Sequence, residues 1–177
     1  PDATKLSLDL CIFVNGLPVI TFELKNQLTK QNVDDAVYQY QHDRSPKELL
    51  FQFTRCMVHF AVDDAQVKFC TRLQGKESWF LPFNKGYKDG AGNPPNPNGY
   101  LTAYLWEEVF QKDSMMDILQ KFMSLQDGKT LIFPRYHQLD VVRKLVADVR
   151  QKGAGQHYLI QHSAGSGKSN SIAWTAY

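Results

Sequence analysis

Asp9–Lys25, DLCIFVNGLPVITFELK, is the stretch that decides the fold. Leu6, Leu8, Leu10, Ile12 and Val14 alternate with Ser7, Asp9, Cys11 and Phe13, the period-two pattern of a half-buried strand. Asn15-Gly16 marks a hairpin turn; beyond it Ile20, Phe22 and Leu24 share one face and Thr21, Glu23 and Lys25 the other. A two-residue loop at Asn15-Gly16 would pair Val14 with Leu17 and Asp9 with Phe22, placing a carboxylate beside a core aromatic. A three-residue loop, Asn15-Gly16-Leu17, pairs Val14 with Pro18 and Asp9 with Glu23, and all the apolar residues then face one side. Because a one-residue slip inverts the faces of a strand, the sequence predicts the second register, with Gly16 as the left-handed residue of the loop.

Two carboxylates side by side repel each other unless a cation lies between them. Oxygen ligands of this kind suit a hard divalent ion, Mg²⁺ or Mn²⁺. Lys25 projects from the same face, where its ammonium can orient an attacking water. Asp…Glu-x-Lys on adjacent strands is the outline of a phosphodiester-cleaving site, although Glu and Lys also decorate ordinary exposed strand faces.

The longer stretch Leu8–Asn26, LDLCIFVNGLPVITFELKN, resembles the nuclease core of the motor-nuclease (R, or HsdR) subunits of type I restriction enzymes, a branch of the PD-(D/E)xK nucleases. The resemblance runs on to the end of the chain. It implies Asp9 and Glu23 as metal ligands and Lys25 as the catalytic lysine. Pro1-Asp2 is set aside as the family's Pro-Asp pair, because Asp2 falls on the apolar side of the alternation.

Next along the chain, Thr29 or Asn32 can cap a helix whose first turn carries Asp34 and Asp35, as the helix dipole favours. Val33, Ala36, Val37 and Tyr40 form its apolar stripe. The resemblance implies a Gln-x-x-x-Tyr element on this helix, beside the metal site. Gln39 fits the Gln; position 43 is Asp, which leaves Tyr40 or Tyr38 as candidates for the Tyr, although neither has the spacing. Strands are predicted over Leu49–Phe53, Met57–Val62 and Gln66–Cys70. Asp63-Asp64 is a turn; it imitates the Mg²⁺-binding acids of nucleotide hydrolases but stands on the wrong side of the phosphate loop for that role. Residues 82–100, rich in Pro and Gly, read as an irregular linker, with Lys85 and Lys88 as solvated loop lysines. Leu101–Gln111 and Met115–Leu125 read as two helices that dock the nuclease on its neighbour.

A second motif follows. His157–Gln161 reads as a short buried strand, HSAGSGKS comes after it, and Asn170–Tyr177 opens a helix. Strand, glycine-rich loop, Lys-Ser and helix make a phosphate-binding loop. Gly165, Ser166 and Gly167 would turn backbone N–H groups toward phosphate oxygens, Lys168 would reach the β- and γ-phosphates, and the Ser169 hydroxyl would bind Mg²⁺. His162 replaces the first Gly of the general pattern, a substitution found in the R subunits the chain resembles. Upstream, Gln138 opens an amphipathic helix carrying Leu139, Val142, Val146 and Val149. It resembles the adenine-reading glutamine of superfamily 2 helicases, which implies ATP.

The 177 residues are 43% hydrophobic and 21% charged with a formal net charge of +2, values of an ordinary globular protein that neither demand nor exclude nucleic acid. No apolar run reaches membrane-spanning length and no signal peptide is visible. Cys11, Cys56 and Cys70 lack metal-site spacing and read as reduced thiols of a cytoplasmic protein. The chain begins without Met and stops inside an apparent helix, so it reads as a piece of a longer protein.

The expected fold is α/β: a PD-(D/E)xK-like mixed sheet flanked by helices over residues 1–81, a linker and two-helix junction over 82–132, and the start of a RecA-like ATPase domain over 133–177. The resemblance implies a Mg²⁺-dependent double-strand DNA endonuclease driven by an ATP-dependent translocase, with specificity and methyltransferase subunits as partners. Two other readings stand beside it: a helicase-like ATPase on an inactive nuclease scaffold, and a DNA-docking module without turnover.

Overall fold

A computed structural model describes residues 7–176. Pro1, Asp2, Leu6 and Tyr177, which entered the readings above, lie outside the described residues.

Strands β1 (Leu10–Val14) and β2 (Leu17–Leu24) form the expected antiparallel hairpin. Its turn differs from expectation. Asn15 and Gly16 both take positive φ, 50° and 81°, and make a two-residue loop that pairs Val14 with Leu17 and Phe13 with Pro18. Such a loop matches the twist of the strands better than the three-residue loop would. The register then shifts: Ile12 faces Ile20, Cys11 faces Thr21 and Leu10 faces Phe22, with Val19 as the extra residue of a bulge. The Val19 carbonyl instead accepts from Met57 N at 2.9 Å, the entry to the next strand. Carried one position beyond β1, the shifted register sets Asp9 against Glu23. The pairing expected of a longer loop is thus reached through a tight turn plus a bulge.

Helix α1 (Val33–His42) is capped by Asn32, whose side chain accepts from Asp34 N, while Asp35 reaches back to Asn32 N. It crosses over to β3 (Val58–Val62), which lies parallel to β2 with Ile20 opposite Val58 and Leu24 opposite Val62. Leu49–Phe51 is not the predicted strand but a short 3₁₀ turn, with Leu49 exposed and Phe51 buried against Tyr40 and His59. The sheet order places β3 directly beside β2, so no strand from this segment lies between them. Strands β4 (Val67–Cys70) and β5 (Leu81–Pro82) complete a mixed five-stranded sheet in the order β1-β2-β3-β4-β5.

The Asp63-Asp64 turn between β3 and β4 forms as predicted. Asp63 Oδ1 accepts from Ala65 N and Gln66 N at 2.7 and 2.6 Å, and Oδ2 accepts from Val33 N at 2.8 Å, so one carboxylate closes the hairpin and holds the start of α1.

The segment after the sheet departs most from expectation. The first predicted helix is only a π-helical turn, Leu105–Val109. The second is α2 (Lys112–Asp117) continued by another π turn, Ile118–Phe122. Ser124 and Leu125, read as helical, belong to β6 (Ser124–Gln126), which pairs with β7 (Thr130–Ile132). Asp127 and Gly128, both at positive φ, turn this hairpin as Asn15-Gly16 turns the first. Helix α3 (Tyr136–Lys152) follows, and α4 (Lys168–Ala176) is the last element. The His157–Gln161 segment is not a buried strand: it has no regular secondary structure and pairs with no strand among the described residues, and Leu159 is 95% exposed.

The two faces of the sheet are covered differently. Ile20, Phe22, Val58, Phe60, Val67 and Phe69 pack against Phe83, Leu105, Val109, Ile118, Phe122, Phe133, Leu139 and Val142, so the packing is continuous across residues 82 and 133. Phe60 sits at its centre, with ring centroids of Phe22, Phe83 and Phe133 within 5.5, 5.5 and 5.8 Å. The opposite face carries Thr21, Glu23, His59 and Ala61 under α1. Among the described residues no helix is long and apolar enough to cross a membrane.

Candidate active site

The alternation along β2 sends Thr21, Glu23 and Lys25 to the α1 side of the sheet, where a polar group must find a partner or remain accessible. Thr21 is fully buried; its hydroxyl lies 2.9 Å from Tyr40 OH and 2.7 Å from His59 Nδ1. Glu23 is also fully buried. Arg44 Nε and Nη2 both reach Glu23 Oε1, each at 2.6 Å, and Oε2 is buried with no hydrogen-bond partner among the described residues. Burial pushes the Glu23 carboxyl up; the hydrogen bond and charge of Arg44 oppose this, the negative charge of Asp9 adds to it, and Lys25 draws it down.

Asp9 is exposed at the start of the hairpin, and its Oδ2 accepts from Leu24 N at 2.7 Å. That bond ties the Asp9 carboxylate to the backbone between Glu23 and Lys25. Lys25 N donates to the Val62 carbonyl at 2.8 Å, continuing the β2–β3 ladder, while its Nζ donates to Gln39 Oε1 at 2.5 Å. The structure thus brings together Asp9, Glu23, Lys25 and Gln39, the four residues singled out in the sequence. Neither candidate tyrosine joins them: the Tyr40 hydroxyl is buried against Thr21, and Tyr38 is exposed and stacked on His42. Asp43, at the position of the expected tyrosine, ends α1, its N–H bonded to the Gln39 carbonyl.

The donors present fit a hard divalent cation. A buried carboxylate oxygen has no hydrogen-bond partner among the described residues, a second carboxylate lies near enough for its charge to act on it, and both are oxygen ligands. No group of three or more His, Cys, Asp or Glu side chains gathers among the described residues. Such an ion would therefore complete its shell with backbone oxygens, water or substrate phosphate, as Mg²⁺ commonly does. Arg44 is the residue that sequence reading missed. It follows α1 in HDRS, where a basic residue at a helix C-terminus is unremarked, and nothing local announces a partner on β2.

The phosphate-loop residues form a second cluster. Gly165 and Gly167 take positive φ, 71° and 79°. A Cβ at Gly167 would meet Gln138 Nε2 and force that side chain to shift, and the positive φ there independently favours glycine. The Gln138 amide is 3% exposed and engaged at both ends: Oε1 accepts from Arg135 N and Nε2 donates to the Gly167 carbonyl, each at 2.8 Å. It caps α3 and clamps the loop. His137 Nε2 lies 3.0 Å from the Ser166 carbonyl. Lys168, the first residue of α4, donates to the carbonyls of Ser163 and His162 at 2.9 and 3.3 Å. Lys168 and Ser169 are exposed, whereas the Ser166 hydroxyl is buried with no hydrogen-bond partner among the described residues.

No curated protein matches the chain. Residues 2–78, which hold the hairpin, α1 and the first four strands, match the family described as Type I restriction enzyme R protein N terminus. This match covers Asp9, Glu23, Lys25, Gln39 and Arg44 together, and over that part the chain is similar to the N termini of type I restriction enzyme R proteins.

Proposed function

We propose that the chain is part of the restriction subunit of a type I restriction-modification enzyme, carrying a Mg²⁺-dependent endonuclease site for double-stranded DNA coupled to an ATP-driven translocase. The observation that carries the nuclease half is the open Glu23 Oε2 beside Asp9, on the face that also presents Lys25. Asp9 and Glu23 would hold Mg²⁺ or Mn²⁺, which supplies charge neutralisation at a scissile phosphate. Lys25, held by Gln39, directs an ammonium into the same space, where it can orient water and offset charge developing on phosphate oxygens. Glu23 keeps bulk water from its inner oxygen by being buried.

For the translocase half, Gly165, Ser166 and Gly167 would cradle ATP phosphates, Lys168 and Ser169 would hold the phosphates and their Mg²⁺, and Gln138 would read adenine after releasing a present partner. The supporting observation is the glycine-rich loop leading into α4 with Lys168 at its first position. Residues 1–81, 82–132 and 133–177 serve in this reading as nuclease core, junction and start of the ATPase. Specificity and methyltransferase subunits would supply sequence recognition in a cytoplasmic complex.

The test is an assembled enzyme carrying Glu23→Ala or Asp9→Ala. DNA cleavage should disappear while ATP hydrolysis and translocation persist; cleavage at the parental rate by both variants would refute the nuclease assignment. The Arg44–Glu23 ion pair favours one second reading, an ATPase on an inactive scaffold in which the arginine permanently neutralises the glutamate. Mn²⁺ binding that depends on Asp9 and Glu23 separates the two.

A further inference from the structure

We infer that Arg44 is a positioning residue of the metal site, a strut that sets Glu23 and the approach to Asp9 so that one glutamate oxygen stays open to a divalent cation. The inference rests on the metal reading above. A guanidinium fork usually spans both oxygens of a carboxylate. Here Nε and Nη2 converge on Glu23 Oε1 at 2.6 Å each, and Oε2 is left buried and unpartnered among the described residues. An ion pair serving stability alone has no reason to leave a desolvated oxygen unused, since an unpaired buried acceptor costs free energy. The same Nη2 donates to the Ser7 carbonyl at 2.6 Å, two residues before Asp9. One side chain, itself 5% exposed, therefore ties β2 to the segment that delivers the second carboxylate. Arginine suits this task because its planar fork presents several donors in fixed directions, whereas a lysine ammonium is a compact point charge.

Mn²⁺ is the probe, titrated into the 177-residue chain and followed by loss of the free-ion paramagnetic resonance signal. The unaltered chain should bind Mn²⁺ and Glu23→Gln should not. Arg44→Met, checked for folding by circular dichroism well below its unfolding temperature, should bind about 10- to 100-fold more weakly, the usual effect of losing a residue that orients a ligand. Arg44→Lys should restore part of the affinity. A strut needed only for stability would lower the unfolding temperature and leave the affinity of folded molecules unchanged. Parental Mn²⁺ affinity in folded Arg44→Met overturns the inference alone; if that variant does not fold, parental affinity in Arg44→Lys does so. Absence of any Glu23-dependent Mn²⁺ site in the unaltered chain overturns the metal reading, and the inference with it.

Discussion

The Lys25 ammonium and the Gln39 side-chain carbonyl are joined by a 2.5 Å hydrogen bond that links the end of β2 to the middle of α1. Gln39 is partly exposed and lies off the buried stripe of Val33, Ala36 and Tyr40, so its amide can be removed without opening the core. Its effect should therefore fall on where the Lys25 charge points. Gln39→Ala in the assembled enzyme should lower DNA cleavage by about 10- to 100-fold, the scale of a misplaced catalytic group. Gln39→Glu, which still accepts from Lys25, should retain more. Both should hydrolyse ATP at the parental rate, and plasmid cleavage set against phosphate release measures the difference.

Asp63 is a structural hub. Its carboxylate accepts from Val33 N, Ala65 N and Gln66 N, its backbone carbonyl accepts from Thr102 Oγ1 at 2.8 Å, and it is 6% exposed. Asp63→Ala leaves several amide groups without their acceptor, at a cost of about 2–4 kcal/mol for bonds to a charged group. The urea midpoint should fall accordingly with the slope unchanged. Asp63→Asn, which keeps one acceptor oxygen, should lose less.

His59 gives the protein a pH dependence. It is buried under α1, and burial pushes its imidazole down from 6.5 to about 3. Between those values the unfolded chain takes up a proton that the folded chain refuses. The contribution is thus fully present above pH 6.5 and is lost as pH falls toward 3, at about 1.4 kcal/mol per pH unit. His59→Gln should flatten that part of the stability profile relative to the parent, as read by denaturant unfolding at a series of pH values. Equal slopes in the two proteins would mean that the imidazole is not held neutral.

The hairpin, α1 and the Asp63 turn were legible because each is fixed by a local rule: alternation, a capping box, an Asx turn. The Asp9–Glu23 pairing was legible for a subtler reason. Face matching demands it whichever device supplies the extra residue, so the bulge at Val19 satisfies the same constraint as a longer loop. What stayed hidden depends on partners distant in sequence. Leu49–Phe51 carries strand-like residues but closes into a 3₁₀ turn whose Phe51 packs on Tyr40 and His59, and Arg44 meets Glu23 across 21 positions. The apolar spacing of Met115, Ile118, Leu119 and Phe122 carried the predicted helix on to Leu125, whereas the helical run ends in a π turn at Phe122 and Ser124 and Leu125 belong to β6.

ATP hydrolysis needs an acidic residue to hold Mg²⁺ and place water, and commonly an arginine to neutralise charge in the transition state. The strand-end acids are Asp63 and Asp64, and Asp63 is committed to three backbone amides. Within the loop, Lys168 rests on the carbonyls of His162 and Ser163, and Gln138 holds the Gly167 carbonyl, so the groups that would meet phosphate and base are turned onto the chain itself. The segment before the loop has little to rigidify it, with Tyr158, Leu159 and Ile160 all exposed. Such a segment opens at low free energy. The purified chain should therefore show no steady ATP turnover, and amide exchange should be fastest across residues 154–164. In the assembled enzyme Lys168→Ala should stop both translocation and ATP-dependent cleavage, whereas Glu23→Ala stops cleavage alone. Steady hydrolysis by the 177-residue chain that vanishes on Lys168→Ala would place a complete ATPase within it and contradict this account.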